Sequence, residues 1–125
     1  MGKPTFKVVI AGGRTFNDLK RMTKVCDHML SEKSKTHSIE IVSGTAKGAD
    51  KLGEAYAYSR GYAVKRFPAD WDGFGVSAGH IRNKQMAMYT DAVIAFWDGR
   101  SRGARHMIYL AKAKELPLTV IKYKL

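Results

Sequence analysis

Ser43, Gly44, Thr45, Lys47, Gly48 and Asp50 stand together in residues 39–54, IEIVSGTAKGADKLGE. The apolar run 39–42 ends at Ser43-Gly44, and Lys47-Gly48-Ala49-Asp50 opens a helix. A strand that passes through a glycine-bearing turn into a helix aims backbone N–H groups at an anion. Two hydroxyls and the Lys47 ammonium add donors and charge. Any strand-to-helix turn favours Gly and Ser, so the stretch gains meaning only from its company. That company is Gly12-Gly13-Arg14 in an earlier loop, residues 68–77 (PADWDGFGVS) in a later one, and Trp97-Asp98-Gly99-Arg100-Ser101-Arg102-Gly103 in a fourth.

Holding a phosphate takes N–H donors and at least one cation. Gly12, Gly13, Ser43, Gly44, Gly48 and Gly103 offer backbone. Arg14, Lys47, Arg82, Arg100 and Arg102 offer charge, and arginine can grip phosphate through two N–H groups at once. Trp71 and Trp97 present faces on which a base stacks. Asp50, Asp70 and Asp98 can accept from ribose hydroxyls or a base edge, although Asp50 could equally cap the helix it opens. Together these groups describe a pocket for a nucleotide-like ligand. Other chemistries are set aside. GTAKGAD lacks the GK[ST] ending of a phosphate-binding loop that seats Mg²⁺, and GGRTF is not GxGxxG. His28, His37, His80 and His106 stand singly in the sequence, His80 and His106 reading as surface residues, and one cysteine cannot build a zinc site. No cofactor or metal is expected, nor a serine-hydrolase elbow.

The elements that must position these groups follow from periodicity. Strands are expected at residues 7–11, 39–42, 62–67, 91–96 and 117–122. Apolar residues at Leu19, Met22, Val25, Cys26, Met29 and Leu30 lie on one helical face, with Asn17 or Asp18 as the cap. Further helices are expected at 49–60, stopped by Gly61, at 78–90, and at 104–115. Residues 31–38 read as a polar linker and 68–77 as a long loop. Strict alternation of strand and helix predicts an α/β domain over 1–125, a parallel five-stranded sheet with helices on both faces and right-handed crossovers. Ligands of such folds sit at the carboxyl ends of the strands, where strand order reverses. All four polar loops follow strands and therefore converge there.

Composition narrows the setting. The chain has 125 residues, 45% hydrophobic and 26% charged, which is globular rather than disordered. The single cysteine, Cys26, lies on the apolar helix face and reads as a core thiol in a reducing, cytoplasmic compartment. No signal peptide and no apolar run of about 18 residues or more is present, so no membrane is expected. The net charge of +11 favours anionic partners, nucleotides or nucleic acid, without choosing among them.

The ordered segments AGGRTFND, IVSGTAKGAD, FPADWDGFGVSAGHIRNKQMA and DAVIAFWDGRSRGARHMI resemble the SLOG superfamily, and within it the small stand-alone branch related to YspA and YpsA, short domains of phages and bacteria. The resemblance covers nearly the whole chain. It implies a Rossmann-like three-layer fold with a pocket for a nucleotide or nucleotide-derived ligand at the strand ends. It also implies that the pocket is lined by Gly12, Gly13 and Arg14; Ser43, Gly44, Ala46, Gly48, Ala49 and Asp50; Arg82 and Asn83; and Gly99, Ser101 and Gly103. The chain is similar, more distantly, to the cytokinin-activating phosphoribohydrolases. Arg82 matches their catalytic arginine, but Ala104 replaces a threonine and Met107 stands at their glutamate, leaving Asp70 or Asp98 as substitutes. Ser43–Asp50 and Arg82-Asn83 are also similar to motifs of DNA-processing protein A. Three functions are therefore carried forward: a sensor or sequestering protein for a nucleotide-derived ligand, a nucleotide hydrolase cleaving an N-glycosidic bond, and a single-stranded nucleic-acid binder. A homodimer is compatible with each.

Overall fold

The apolar runs pair into one sheet in the computed structural model, which describes residues 2–124. The strands are β1 (Thr5–Gly12), β2 (Ser38–Ser43), β3 (Ala63–Arg66), β4 (Ala92–Trp97) and β5 (Leu118–Lys122). They are parallel and ordered β3-β2-β1-β4-β5. The helices are α1 (Leu19–Leu30), α2 (Ala49–Arg60), α3 (Trp71–Phe74), α4 (Ala78–Tyr89) and α5 (Arg102–Ala113).

Alternation along the central strands explains the layers. Val8 and Ile10 of β1 point to one face, where Met22 and Cys26 of α1 and Tyr56 and Ala57 of α2 cover them. Val9 and Ala11 point to the other, under Met86 and Ala87 of α4 and Met107 and Ala111 of α5. A parallel strand covered on both sides has no polar face to show, which is why VVIA and AVIAF read as unbroken apolar runs. Cys26 is fully buried, and burial followed by the neighbouring Asp27 charge pushes its thiol up to about 12. The helix ends follow local chemistry. Asp18 caps α1 by accepting from the Arg21 N–H at 2.9 Å, and Gly61 closes α2 at φ 71°. Among the described residues, no helix is long and apolar enough to cross a membrane.

Several boundaries move from the sequence expectation. The edge strand β3 covers four residues, not six. Tyr62 instead packs beneath α1 and α2, while Phe67 donates its N–H to the Ser43 carbonyl at 2.8 Å and turns its ring to Tyr89. The expected loop 68–77 is largely helical. Asp70 accepts from the Gly73 N–H at 2.9 Å and starts α3, and a 3-10 turn, Gly75–Ser77, leads straight into α4. Another 3-10 turn, Lys33–Lys35, interrupts the polar linker. Ser101 starts α5 two residues early, and Glu115 at φ 56° follows its end.

β1 is where the chain reverses. It pairs with β2 on one side and β4 on the other, and the crossover from β3 to β4 carries α4 to the opposite face. A Cβ built on Gly12 lies 2.0 Å from the Phe96 carbonyl oxygen and 2.9 Å from Ala49 Cβ, so a side chain there meets rigid backbone. Gly12→Ala should therefore cost roughly 3 kcal/mol, the upper end of overpacking penalties, read as a lower urea midpoint. An unchanged midpoint would show that β1 and β4 have room to part.

Candidate functional site

The Gly13 carbonyl accepts from both the Phe16 N–H at 3.3 Å and the Ala49 N–H at 3.2 Å, and its own N–H donates to the Phe96 carbonyl at 3.0 Å. Gly48, at φ 89°, makes that approach feasible: a Cβ there would stand 2.4 Å from the Gly13 oxygen and 2.6 Å from the Arg14 backbone. The loop after β1, the turn before α2 and the end of β4 are thus fastened at one point. Above it opens a cleft of about 460 Å³.

Its floor is apolar: Ala11, Met86, Ala104 and Met107. Its walls are polar. Arg14 and Thr15 come from the first loop, Ala46 and Asp50 from the second, Arg82 and Asn83 from α4, and Asp98, Ser101, Arg102 and Gly103 from the loop and first turn of α5.

Two charges dominate the interior. Asp50 is 5% exposed, and its Oδ2 accepts from the Ala46 N–H at 3.2 Å. Asp50 therefore does not cap α2, whose N-cap is Gly48. Burial raises the Asp50 pKa to about 6, against the opposing pull of the Ala46 and Gly12 N–H groups and the Arg82 charge. Arg82 is tethered on both sides. Its Nη1 donates to the Gly44 carbonyl and its Nε to Asn83 Oδ1 at 2.9 Å. Burial lowers the Arg82 pKa, Asp50 raises it, and the Arg14 charge lowers it again. Arg14 and Arg82 are thus like charges facing one space, an arrangement that an anion between them would relieve.

Asn83 ties α4 to α5. Its Nδ2 donates to the Gly103 carbonyl and to His106 Nδ1, both at 3.2 Å, which leaves the imidazole proton on Nε2. His80 and His106 do not stand apart: their rings stack at 4.0 Å. Burial, with the His80 and Lys84 charges, lowers the His106 pKa. The two residues lie 26 positions apart in the chain, so no local spacing announces the pair. Among the described residues, no group of three or more His, Cys, Asp and Glu is placed to hold a metal ion.

Other sequence candidates take different places. Ser43 is fully buried, donates to Glu54 Oε2 at 2.7 Å and receives the Thr45 N–H at 3.0 Å. It holds the turn, with Thr45 forced to φ 65°, and offers nothing to the cleft. Trp97 lies outside, its Nε1 donating to the Ser101 carbonyl and Lys122 above its ring. Gly99, at φ 86°, serves the turn, Asp70 caps α3, and Arg100 faces a separate hollow with Lys124. Lys47, Gly44 and Trp71 line a cavity beside the cleft. Trp71 is 52% exposed and not folded onto the core. Asp98 rims the cleft, but its Oδ1 accepts from the Ser101 and Arg100 N–H groups, each at 2.8 Å, and these bonds lower its pKa. Residues 99–103 spell Gly-x-Ser-x-Gly, the segment that the family resemblance places in the pocket, and they do not form a serine-hydrolase elbow. Ser101 Oγ caps α5 by accepting from the Ala104 N–H at 3.4 Å, and no bond joins it to a histidine.

Sequence reading missed Thr15, whose hydroxyl meets that of Tyr123 at 3.0 Å, and Glu54. Glu54 is 4% exposed and joins Ser43 to Arg66, its Oε1 accepting from Arg66 Nε at 3.0 Å. Its signal was available: Glu54 follows Asp50 by one helical turn, on the same face.

The sequence pattern of the YspA, cpYpsA-related SLOG family matches residues 6–74. The chain belongs to that family. This SLOG chain is also 32% identical over 119 residues to the gene 61 protein of Mycobacterium phage D29, covering 90% of the chain and 93% of that protein. Its fold is that of DNA processing protein A from Helicobacter pylori, a protein described for its single-stranded DNA binding mode, with a TM-score of 0.64 at 21% identity. That match covers 96% of this chain and 66% of the other. The SLOG fold accounts for the Rossmann-like order of the sheet, and the matched segment carries Gly12–Arg14 and Ser43–Asp50.

Asp50 makes the cleft costly. The folded chain holds the Asp50 proton to about pH 6, whereas an unfolded aspartate releases it near 3.8, so this group's contribution falls as pH rises from about 4 to 6. Asp50→Asn keeps the acceptor for Ala46. The variant should be more stable than the parent at pH 7 by up to about 3 kcal/mol, with the gap closing below about pH 4. Parallel urea titrations measure it; a variant less stable at pH 7 contradicts the assignment.

Proposed function

We propose that the cleft binds a nucleotide-derived ligand and that the protein acts by sensing or sequestering it. The observation that carries this reading is the placement of Arg14 and Arg82 across one space at the switch point between β1 and β4, beside the first turn of α5. Ligands of parallel α/β sheets enter at that point, and the first turn of a helix supplies N–H donors to phosphate. A volume of about 460 Å³ lies in the range of small-molecule sites. The ribose and base would lie against Ala104, Met86 and Met107, with Asn83 and Asp50 as polar contacts.

Binding is favoured over hydrolysis because neither carboxylate that could substitute for the missing glutamate, Asp70 or Asp98, stands free in the cleft to stabilise an oxocarbenium ion. Met107 brings no charge, Asp98 is held by two backbone N–H groups, and Asp70 is outside the cleft. A second reading, single-stranded nucleic acid, draws support from the net charge of +11 and from the binding described for the structural neighbour.

A thermal-shift series with AMP, ADP, ATP, ADP-ribose and a twelve-residue oligothymidylate separates the readings. At least one nucleotide should raise the melting temperature. Arg82→Ala and Arg14→Ala should each weaken its binding by about tenfold or more, as loss of a charge-assisted hydrogen bond does. Stabilisation by the oligonucleotide alone, with steep salt dependence, would favour the second reading. Loss of AMP or ADP-ribose to product, abolished in Arg82→Ala, would restore hydrolysis.

A further inference from the structure

The cleft has a neighbour. Beyond Arg82 lies a second cavity of about 360 Å³, walled by Gly44, Thr45, Lys47, Pro68 and Trp71. Arg14, Ala46 and Arg82 line both spaces. The two arginines therefore form a neck with an opening on either side. Arg82 cannot swing freely to close one of them, because the Gly44 carbonyl and Asn83 Oδ1 both hold its guanidinium.

Trp71 is set to form a wall of the second cavity. Asp70 fixes the start of its helix through the Gly73 N–H. Gly79, in the first turn of α4, lies against both groups: a Cβ there would meet Trp71 Cη2 at 3.5 Å and Arg82 Nη2 at 3.8 Å. The indole tip and the guanidinium thus border the same spot. Half the indole surface is open to solvent, and its ring is not used in the core. A cation next to an exposed aromatic side chain, with Lys47 lining the same cavity, is the combination that receives a base and its adjoining phosphate.

We propose that the site takes two nucleosides joined through phosphate. The bridging phosphate or pyrophosphate sits between Arg14 and Arg82, one nucleoside occupies the main cleft, and the second base stacks on Trp71 with Lys47 beside it. This rests on the nucleotide reading above and extends it from one nucleoside to two. The same chemistry is presented by a free dinucleotide and by a two-residue step of a single strand. A mononucleotide fills one cavity and leaves Trp71 unused.

Calorimetric titration of the full chain with AMP, pApA, diadenosine diphosphate and the twelve-residue oligomer A12 tests this. At least one dinucleotide should bind about tenfold more tightly than AMP, the scale of one base stacked on an aromatic ring. Trp71→Ala should abolish that gain while leaving AMP affinity within about twofold, and Trp97→Ala should leave both unchanged. Trp71 is exposed, so an unaltered melting temperature checks that its variant is folded. A12 matching pApA per site identifies a strand as the source; A12 binding more weakly than the free dinucleotides identifies a small molecule. If AMP binds and no dinucleotide exceeds it, or if Trp71→Ala weakens AMP equally, the two-nucleoside site is wrong and the nucleotide reading stands. If neither AMP nor any dinucleotide binds, both fail.

Discussion

Gly13 is the point on which the site depends. This one residue bonds to the end of β4 through its N–H and to the start of α2 through its carbonyl. It can do so because Gly12 and Gly48 carry no Cβ where the three segments meet. The loop that delivers Arg14, the helix that delivers Asp50 and the strand that leads to Ser101 are thereby held in fixed relation. The sheet order puts this junction where β1 separates the two crossover directions, with α4 and α5 on one face and α1 and α2 on the other.

The charges around that opening are not arranged for stability. Asp50 is buried beside only part of the compensation a carboxylate needs, and its pKa rises to about 6 as a result. Arg82 is half-buried with Arg14 facing it. A hydrophobic pair of the same volume would avoid both penalties. The polar residues that do serve stability are satisfied elsewhere. Ser43 donates to Glu54, which also accepts from Arg66, and Asp27 accepts from Tyr56 and Arg60. The contrast separates groups that hold the scaffold from groups that the fold keeps buried at the cleft at a cost in stability.

Much of this was legible in the chain. Unbroken apolar runs followed by glycine-bearing turns marked the strands and placed their polar loops at one end of a parallel sheet. Arg14, Asp50 and Arg82 were named from residue type and position, Asn83 and Ser101 from the family resemblance, and the cleft gathers them. What escaped depends on distance through space. The His80–His106 stack joins two helices, and Ser43 faces inward because it is the last residue of a strand buried on both sides. Trp97 was named for its aromatic face, but its indole N–H is tied to the Ser101 carbonyl and the ring lies outside the cleft. Residues 68–77 read as a loop because Gly and Asp are frequent in loops. Here Asp70 and Gly75 are the start and stop of one short helical turn.

The central claim is that an anion is held between the β1 loop, the turn before α2 and the first turn of α5. Backbone amide NMR during a titration with a nucleoside monophosphate tests it most directly. The account predicts the largest shifts at Gly12–Thr15, at residues 44–50 and at Ser101–Ala104, with the outer faces of α1 and α2 silent. Shifts concentrated on those outer faces, or at the amino ends of the strands, would contradict it.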